Sequence, residues 1–312
     1  MEKDYIYFHL PGIVETLEMN AILLGRMRDF PDHFYDNVKI GSIFGSIPGA
    51  IWNGGRLSRG RIKDEDIPTL GKIFNDLGVP LRLTWTNPLL TEEDMEDELC
   101  NRATALLHNG FNEVLVNTDL VEETMRKRYP QYPIISSTTK RITDINTLNE
   151  ELEKDYKLVV IDYDFNNKKD FLEQITHPEK CEILINPLCN PNCPFRKEHY
   201  KIIGEMQKNP GHEEEIAKNS DERVWGCQAQ HRMIFQIKDL PTFVTREDIF
   251  GYYYDMGFRN FKIEGRSCNP LKVIEWYLYY LVKPEYHDME RSWLQLGYET
   301  TTFNPNIERL PN

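Results

Sequence analysis

The 312 residues carry 37 Lys and Arg against 50 Asp and Glu, a net charge of −13, and are 40% hydrophobic. That apolar share suffices for a large buried core, while the acidic balance argues against general binding of polyanions, whose phosphates need Lys and Arg. No run approaches the about 20 apolar residues that span a bilayer, and the opening MEKDYIYFHL lacks the basic and apolar regions of a signal peptide, so a cytoplasmic protein is expected.

The first strand-like run is YIYFHL (5–10), followed by the amphipathic stretch 14–30, which sets Val14, Leu17, Ala21 and Leu24 on one stripe. VKIGSIF (38–44) and LRLTWT (81–86) are the next strand candidates. TEEDMEDELCNRATALLHNG (91–110) reads as a helix with Thr91 as its N-cap, acidic residues in its first turn and Gly110 as its stop. Strand runs EVLVN (113–117) and PIISS (133–137) are each followed by a helical pattern, 119–130 and 143–154. KLVVIDY (157–163), EILINPL (182–188) and NFKIE (260–264) complete the strands, and a last helix covers 269–282.

Near-continuous apolar character is what strands covered on both faces show. Eight of them interleaved with helices predict a (β/α)8 TIM-like barrel, a single domain over 1–312. An open doubly wound sheet is the alternative. Its glycine-rich phosphate loop after strand one is absent from LPGIVETL. About seventy residues separate strands 7 and 8, so 189–259 is an insertion, and long loops at the C-terminal face of a barrel usually build the site.

In a reducing compartment six cysteines are more plausibly metal ligands or redox groups than disulfides. Cys189 and Cys193 form C-x3-C at the exit of strand 7, on a turn stiffened by Pro191 and Pro194, and Cys227 lies in the same insertion. Two free buried thiols are the bland alternative. Cys268 follows strand 8 on the same face and is a candidate fourth ligand. Cys181 opens strand 7, which places it at the opposite end of the barrel, and Cys100 lies mid-helix in the expected core. Thiolate-only sites suit zinc or iron–sulfur clusters.

A second constellation is FKIEGR (261–266). Period two puts Lys262 and Glu264 on one inward face, either as a structural ion pair closing the barrel or as part of a site. Arg266 at the mouth is placed to grip a carboxylate. Asn53, Arg56, Thr86, Asn87, Asn117, Asp119, Ser136, Ser137 and Asp162 fall at strand exits too, where polar residues often only cap the next helix. Arg196 and His199 flank the thiols, whereas His212 and His231 read as surface residues.

KIEGR on the last strand, the cysteine pair before the insertion, and Cys227 some 35 residues upstream of KIEGR resemble the collagenase-like peptidase family (letter U, number thirty-two). That resemblance implies an oxygen-independent hydroxylase of the kind acting on ubiquinone precursors, a tRNA wobble uridine or ribosomal RNA. It further implies a four-cysteine [4Fe–4S] cluster and a prephenate-like carboxylated donor. Carried over, Cys189, Cys193 and Cys227 resemble three of the cluster ligands. No cysteine stands between Cys193 and Cys227, so the fourth position falls to Cys268, His199 or a bound molecule. In this reading His199, Arg196 and Glu264 are catalytic, with His199 moving protons and Arg196 helping to hold the donor. Arg266, Lys262, Arg56 and Asn87 bind substrate. The acceptor is an RNA or a prenylated or aromatic molecule, and a partner subunit is an open option. A zinc site of three cysteines and His199, pinning the insertion of a binding or accessory protein, is the alternative. A peptidase lacks support, because neither H-E-x-x-H nor G-x-S-x-G occurs.

Overall fold

The computed structural model describes residues 4–266 and 268–300. Eight parallel strands close into a barrel in sequence order: β1 (Ile6–Pro11), β2 (Val38–Gly45), β3 (Leu81–Trp85), β4 (Glu113–Val116), β5 (Ile134–Ser136), β6 (Leu158–Val160), β7 (Cys181–Leu184) and β8 (Asn260–Lys262). All eight fall where the apolar runs predict them. The ring is sealed where Tyr7, Phe8 and His9 of β1 pair with Asn260, Phe261 and Lys262 of β8. This closure excludes the open doubly wound sheet.

Alternation sorts the strand residues into two layers. One set, including Phe8, Leu83, Val114, Val116, Ile183 and Phe261, packs outward in the main core under the surrounding helices. The inward set is split. Leu115, Ile135, Leu158 and Val160 form a small apolar cluster of their own, whereas His9, Arg82, Glu113, Glu182 and Lys262 form a buried charged one.

Helices Leu17–Asp29, Asp119–Arg128, Ile145–Glu153 and Pro270–Leu281 stand within the predicted stretches. The stretch 91–110 differs. A 3-10 turn at Glu93–Glu96 precedes a helix confined to Glu98–Leu106. Its cap is Asp97, whose carboxylate accepts from the Cys100 N–H at 2.8 Å. Thr91 instead donates its N–H and hydroxyl to Asp94. The acidic run offered a better-placed acceptor than the threonine. Helices Ile67–Asn75 and His287–Thr300 were not anticipated. Among the described residues no helix is long and apolar enough to cross a membrane.

Between β7 and β8 the chain forms the helix Arg196–Lys208 and then shorter helical segments. At about 1.5 Å per residue the thirteen residues of that helix span roughly 20 Å, enough to cross a barrel mouth. Its first residue, Arg196, donates to Asp162 and Asp164 beyond β6 at 2.8 and 2.7 Å. Its far end is fixed beyond β2 and β3. The Asn87 amide donates to the Gly204 carbonyl at 3.1 Å, Gln207 and Ser58 exchange two hydrogen bonds of 3.0 Å, and Lys208 pairs with Asp94 at 2.6 Å. The helix is therefore a strap tied to nearly opposite sides of the ring. Gly204 permits the tie, because a Cβ there would come within 2.3 Å of Asn87 Oδ1.

Candidate functional site

The floor of the site is the charged layer inside the barrel. Arg82, fully buried on β3, donates to Glu113 at 2.7 Å and pairs with Glu182. Its Nη2 also lies 3.1 Å from His9 Nδ1. A guanidinium can only donate, so His9 accepts at Nδ1 and carries its proton on Nε2, facing Asn260 Oδ1 at 3.3 Å. Burial holds the His9 pKa down to about 4, so the ring is neutral in this network. Arg82 and other cations hold Glu182 far below the usual carboxylate range against the burial that would raise it. Lys262 Nζ stands 3.2 Å from Glu182 Oε1. Lys262 thus pairs with Glu182 and not with Glu264, although both Lys262 and Glu264 do face the same interior, as their spacing predicts.

Above this floor lies an inner chamber of about 80 Å³, lined by Phe44, Arg56, Ser137, Tyr200, Lys262, Glu264 and Arg266 among others. Arg266 enters it from the exit of β8. Its Nη1 donates to the hydroxyls of Ser46 and Thr84 at 3.0 and 2.9 Å, and Nη2 lies 3.3 Å from the Gly54 carbonyl. These partners are all neutral. Among the described residues no carboxylate lies within ion-pair distance of it, and Glu15 and Tyr200 offset its charge only through space. Burial, reinforced by the nearby Arg56, lowers its pKa to about 10. Arg266 is half-buried, and a guanidinium withdrawn from water without a carboxylate partner is costly; such groups persist where a ligand supplies the missing charge.

The loop Trp52–Arg56 folds over the mouth to deliver Arg56. Asn53 shapes it by bridging the N–H and carbonyl of Ile47 at 3.2 and 2.6 Å. Gly54 packs so closely on β3 that a Cβ would meet the Thr86 carbonyl at 2.2 Å. Arg56 then pairs with Glu264 across the mouth, and the second oxygen of Glu264 accepts the Leu188 N–H at 2.8 Å. Glu264 therefore locks the β2, β7 and β8 exits together and is already committed.

Arg56, Tyr163, Tyr200 and Arg266 also wall a second, outer chamber of about 220 Å³ beneath the strap. Cys189, Cys227, His199, Arg196 and Trp225 line it. Burial, with Arg56 adding to it, holds the His199 pKa at about 4, and the ring meets Trp225 edge-on at 6.2 Å. The Cys189 thiol stands near both Tyr163 and Cys193 and adds to the burial that raises the pKa of each. Cys227 shares only the cavity wall.

The thiols are gathered but not closed. Among the described residues no three His, Cys, Asp or Glu side chains converge into a group able to hold a metal ion. Cys268 lines neither chamber and packs against the main core. Cys100 is buried, as expected, and Cys181 is buried at the start of β7, away from both chambers.

Other candidates have different partners. Arg196 is held by Asp162 and Asp164 and stacks on the Tyr163 ring at 3.8 Å, so its guanidinium anchors the strap. Asn87 turns away from both chambers toward Ile51 and Gly204. Ser136 points outward to Glu151, whereas Thr86 and Ser137 do line the inner chamber. Asp119 opens the helix after β4, and His212 and His231 are exposed. Sequence reasoning did not single out Tyr163, Tyr200, Thr138 and Thr139. The signal for Tyr163 was its place directly after Asp162 at a strand exit.

Comparison with known proteins adds to the fold alone. No family model matches the chain, and no curated protein does. It is similar to the solved structure described as "The Structure of the U32 Peptidase Mk0906", with 10% identity and a TM-score of 0.51 over 85% of this chain and 95% of that one. The barrel expected from the eight strands thus has a counterpart in a solved structure whose description bears that family's name.

Proposed function

We propose that the chain is an enzyme that holds a small carboxylated molecule in the barrel mouth. The ligand carboxylate sits on Arg266, and its remainder extends past Arg56 and Tyr200 into the outer chamber. The observation that carries this reading is the half-buried Arg266 guanidinium, met among the described residues by hydroxyls and a carbonyl and by no carboxylate. The size of the inner chamber supports it. About 80 Å³ is room for roughly five to eight waters, hence for a fragment of similar heavy-atom count. Thermal unfolding of the whole chain with a panel of mono- and dicarboxylates tests the reading. A carboxylate should raise the transition in the wild type and not in Arg266→Gln, and equal shifts in both would overturn it.

An oxygen-independent iron–sulfur hydroxylase is a second reading, favoured by the nearness of Cys189 to Cys193 and by Cys189 and Cys227 on one cavity wall. It requires the segment around Cys227 to move toward the pair. Anaerobic reconstitution with iron and sulfide is its test. A protein that stays colourless and retains no iron would remove it, leaving the carboxylate reading standing.

A further inference from the structure

Lys262 is not explained by anion binding alone. It is the one amine among the inner-chamber residues, and it approaches from the barrel axis, below the level of Arg266. Its Nζ lies 4.0 Å from the centre of the Phe44 ring, and the Arg266 guanidinium carbon lies 5.8 Å from the same centre. One small molecule can therefore touch both. The groups facing Lys262 are Glu182 and Arg82 on the floor, His9 beside them, and Arg266 above. Because Glu182 is shared with Arg82, the ammonium has only part of a counter-ion.

We propose that Lys262 is a nucleophilic amine that condenses with an α-oxo acid whose carboxylate is held by Arg266. This rests on the carboxylate reading above. The neutral amine adds to the oxo carbon, forming the C–N bond as the C=O π pair moves to oxygen. That oxygen then leaves as water, taking one proton from the nitrogen and one from solvent, and an iminium remains on Lys262. No oxidant or reductant is consumed. Such lysines work where burial and neighbouring cations favour the free base. Burial, with Arg82 and Arg266 adding to it against Glu182, lowers the Lys262 pKa to about 8.

The test is trapping on the intact chain. Pyruvate and sodium cyanoborohydride should place a reduced carboxyethyl group on Lys262, located by peptide mass spectrometry, at a rate at least about tenfold above any other lysine. Lactate, which has the carboxylate but no oxo group, should protect. Arg266→Gln should slow labelling of Lys262 by a similar factor. If pyruvate and lactate raise the unfolding temperature but Lys262 is unlabelled, the amine proposal fails and the anion site stands. Labelling of Lys262 unaffected by lactate and by Arg266→Gln would sink the anion site and keep the amine. Labelling spread evenly over surface lysines, with no thermal shift, overturns both.

Discussion

The Asn87 amide donates to the Gly204 carbonyl across 3.1 Å, and its own oxygen stands where a Cβ on Gly204 would have to go. The strap helix is held over the chambers by this contact. Alanine in place of glycine inside a helix normally stabilises by about 1 kcal/mol. Here the added methyl group must push the strap off Asn87, a clash costing about 1–3 kcal/mol. Gly204→Ala should therefore lower stability in urea unfolding, and truncating the obstacle with Asn87→Ala should relieve part of the loss. A simple stabilisation by Gly204→Ala would show that the strap is not seated as described.

At the other end of the strap, Arg196 neutralises Asp162 and Asp164 together. Removing one side of a buried ion pair costs about 3–5 kcal/mol, because the remaining charge is left unpaired. Arg141 stays 3.4 Å from both Asp162 and Asp164, and Asp164 keeps the Asn192 N–H at 2.9 Å, which moderates the loss. Arg196→Met should therefore speed amide exchange through 196–208 while leaving β1 to β4 protected. Uniformly faster exchange in the barrel would mean that the anchor supports the whole fold.

Arg266 carries the opposite expectation. Its charge is half-buried without a carboxylate partner, so removing it relieves an unfavourable term. Arg266→Gln should match or exceed the wild type in stability without ligand and lose the stabilisation that carboxylates confer. Function held at the expense of stability is the signature of a binding group. A variant that is both unstable and still stabilised by carboxylates would make Arg266 a structural residue.

The strands were legible because parallel strands covered on both faces need unbroken apolar runs, and their number and order then imply a closed ring. The convergence of Arg56, Lys262, Glu264 and Arg266 was legible for a related reason, since period two and strand exits fix which face and which end a side chain occupies. Partners were not. Nothing in FKIEGR says that Lys262 takes Glu182 from β7 while Glu264 takes Arg56 from the β2 exit. Those choices depend on how far each strand slides past the next. The strap was hidden too. Its buried residues Tyr200, Ile203 and Gln207 are helix-spaced, but the cysteines before it drew the segment toward a metal loop. Proximity of Cys189, Cys193 and Cys227 in the chain's insertion likewise did not dictate their convergence to a single point.

His9 offers a measurement of the charged floor itself. Its ring is 2% exposed and held neutral with a pKa of about 4, against 6.5 for an ordinary histidine. As pH falls below 6.5 the unfolded chain binds a proton at this position and the folded chain does not. The unfolded state then holds more protons, so stability must fall with pH between 6.5 and about 4. Between pH 7 and 5 the loss from this one group is about 2 kcal/mol. Glu182 and Glu113 are held below the ordinary carboxylate range, so what they contribute is lost mainly at lower pH, around and below the unfolded value of 4.5. His199, also lowered to about 4, acts in the same window as His9. Urea unfolding of the wild type and His9→Gln at both pH values separates the two. The variant should lose about 2 kcal/mol less than the wild type on acidification, with the remaining slope shared by His199 and the carboxylates held below their ordinary range. Equal slopes in the two proteins would mean that the His9 ring is protonated in the folded barrel, and that Arg82 does not donate to it.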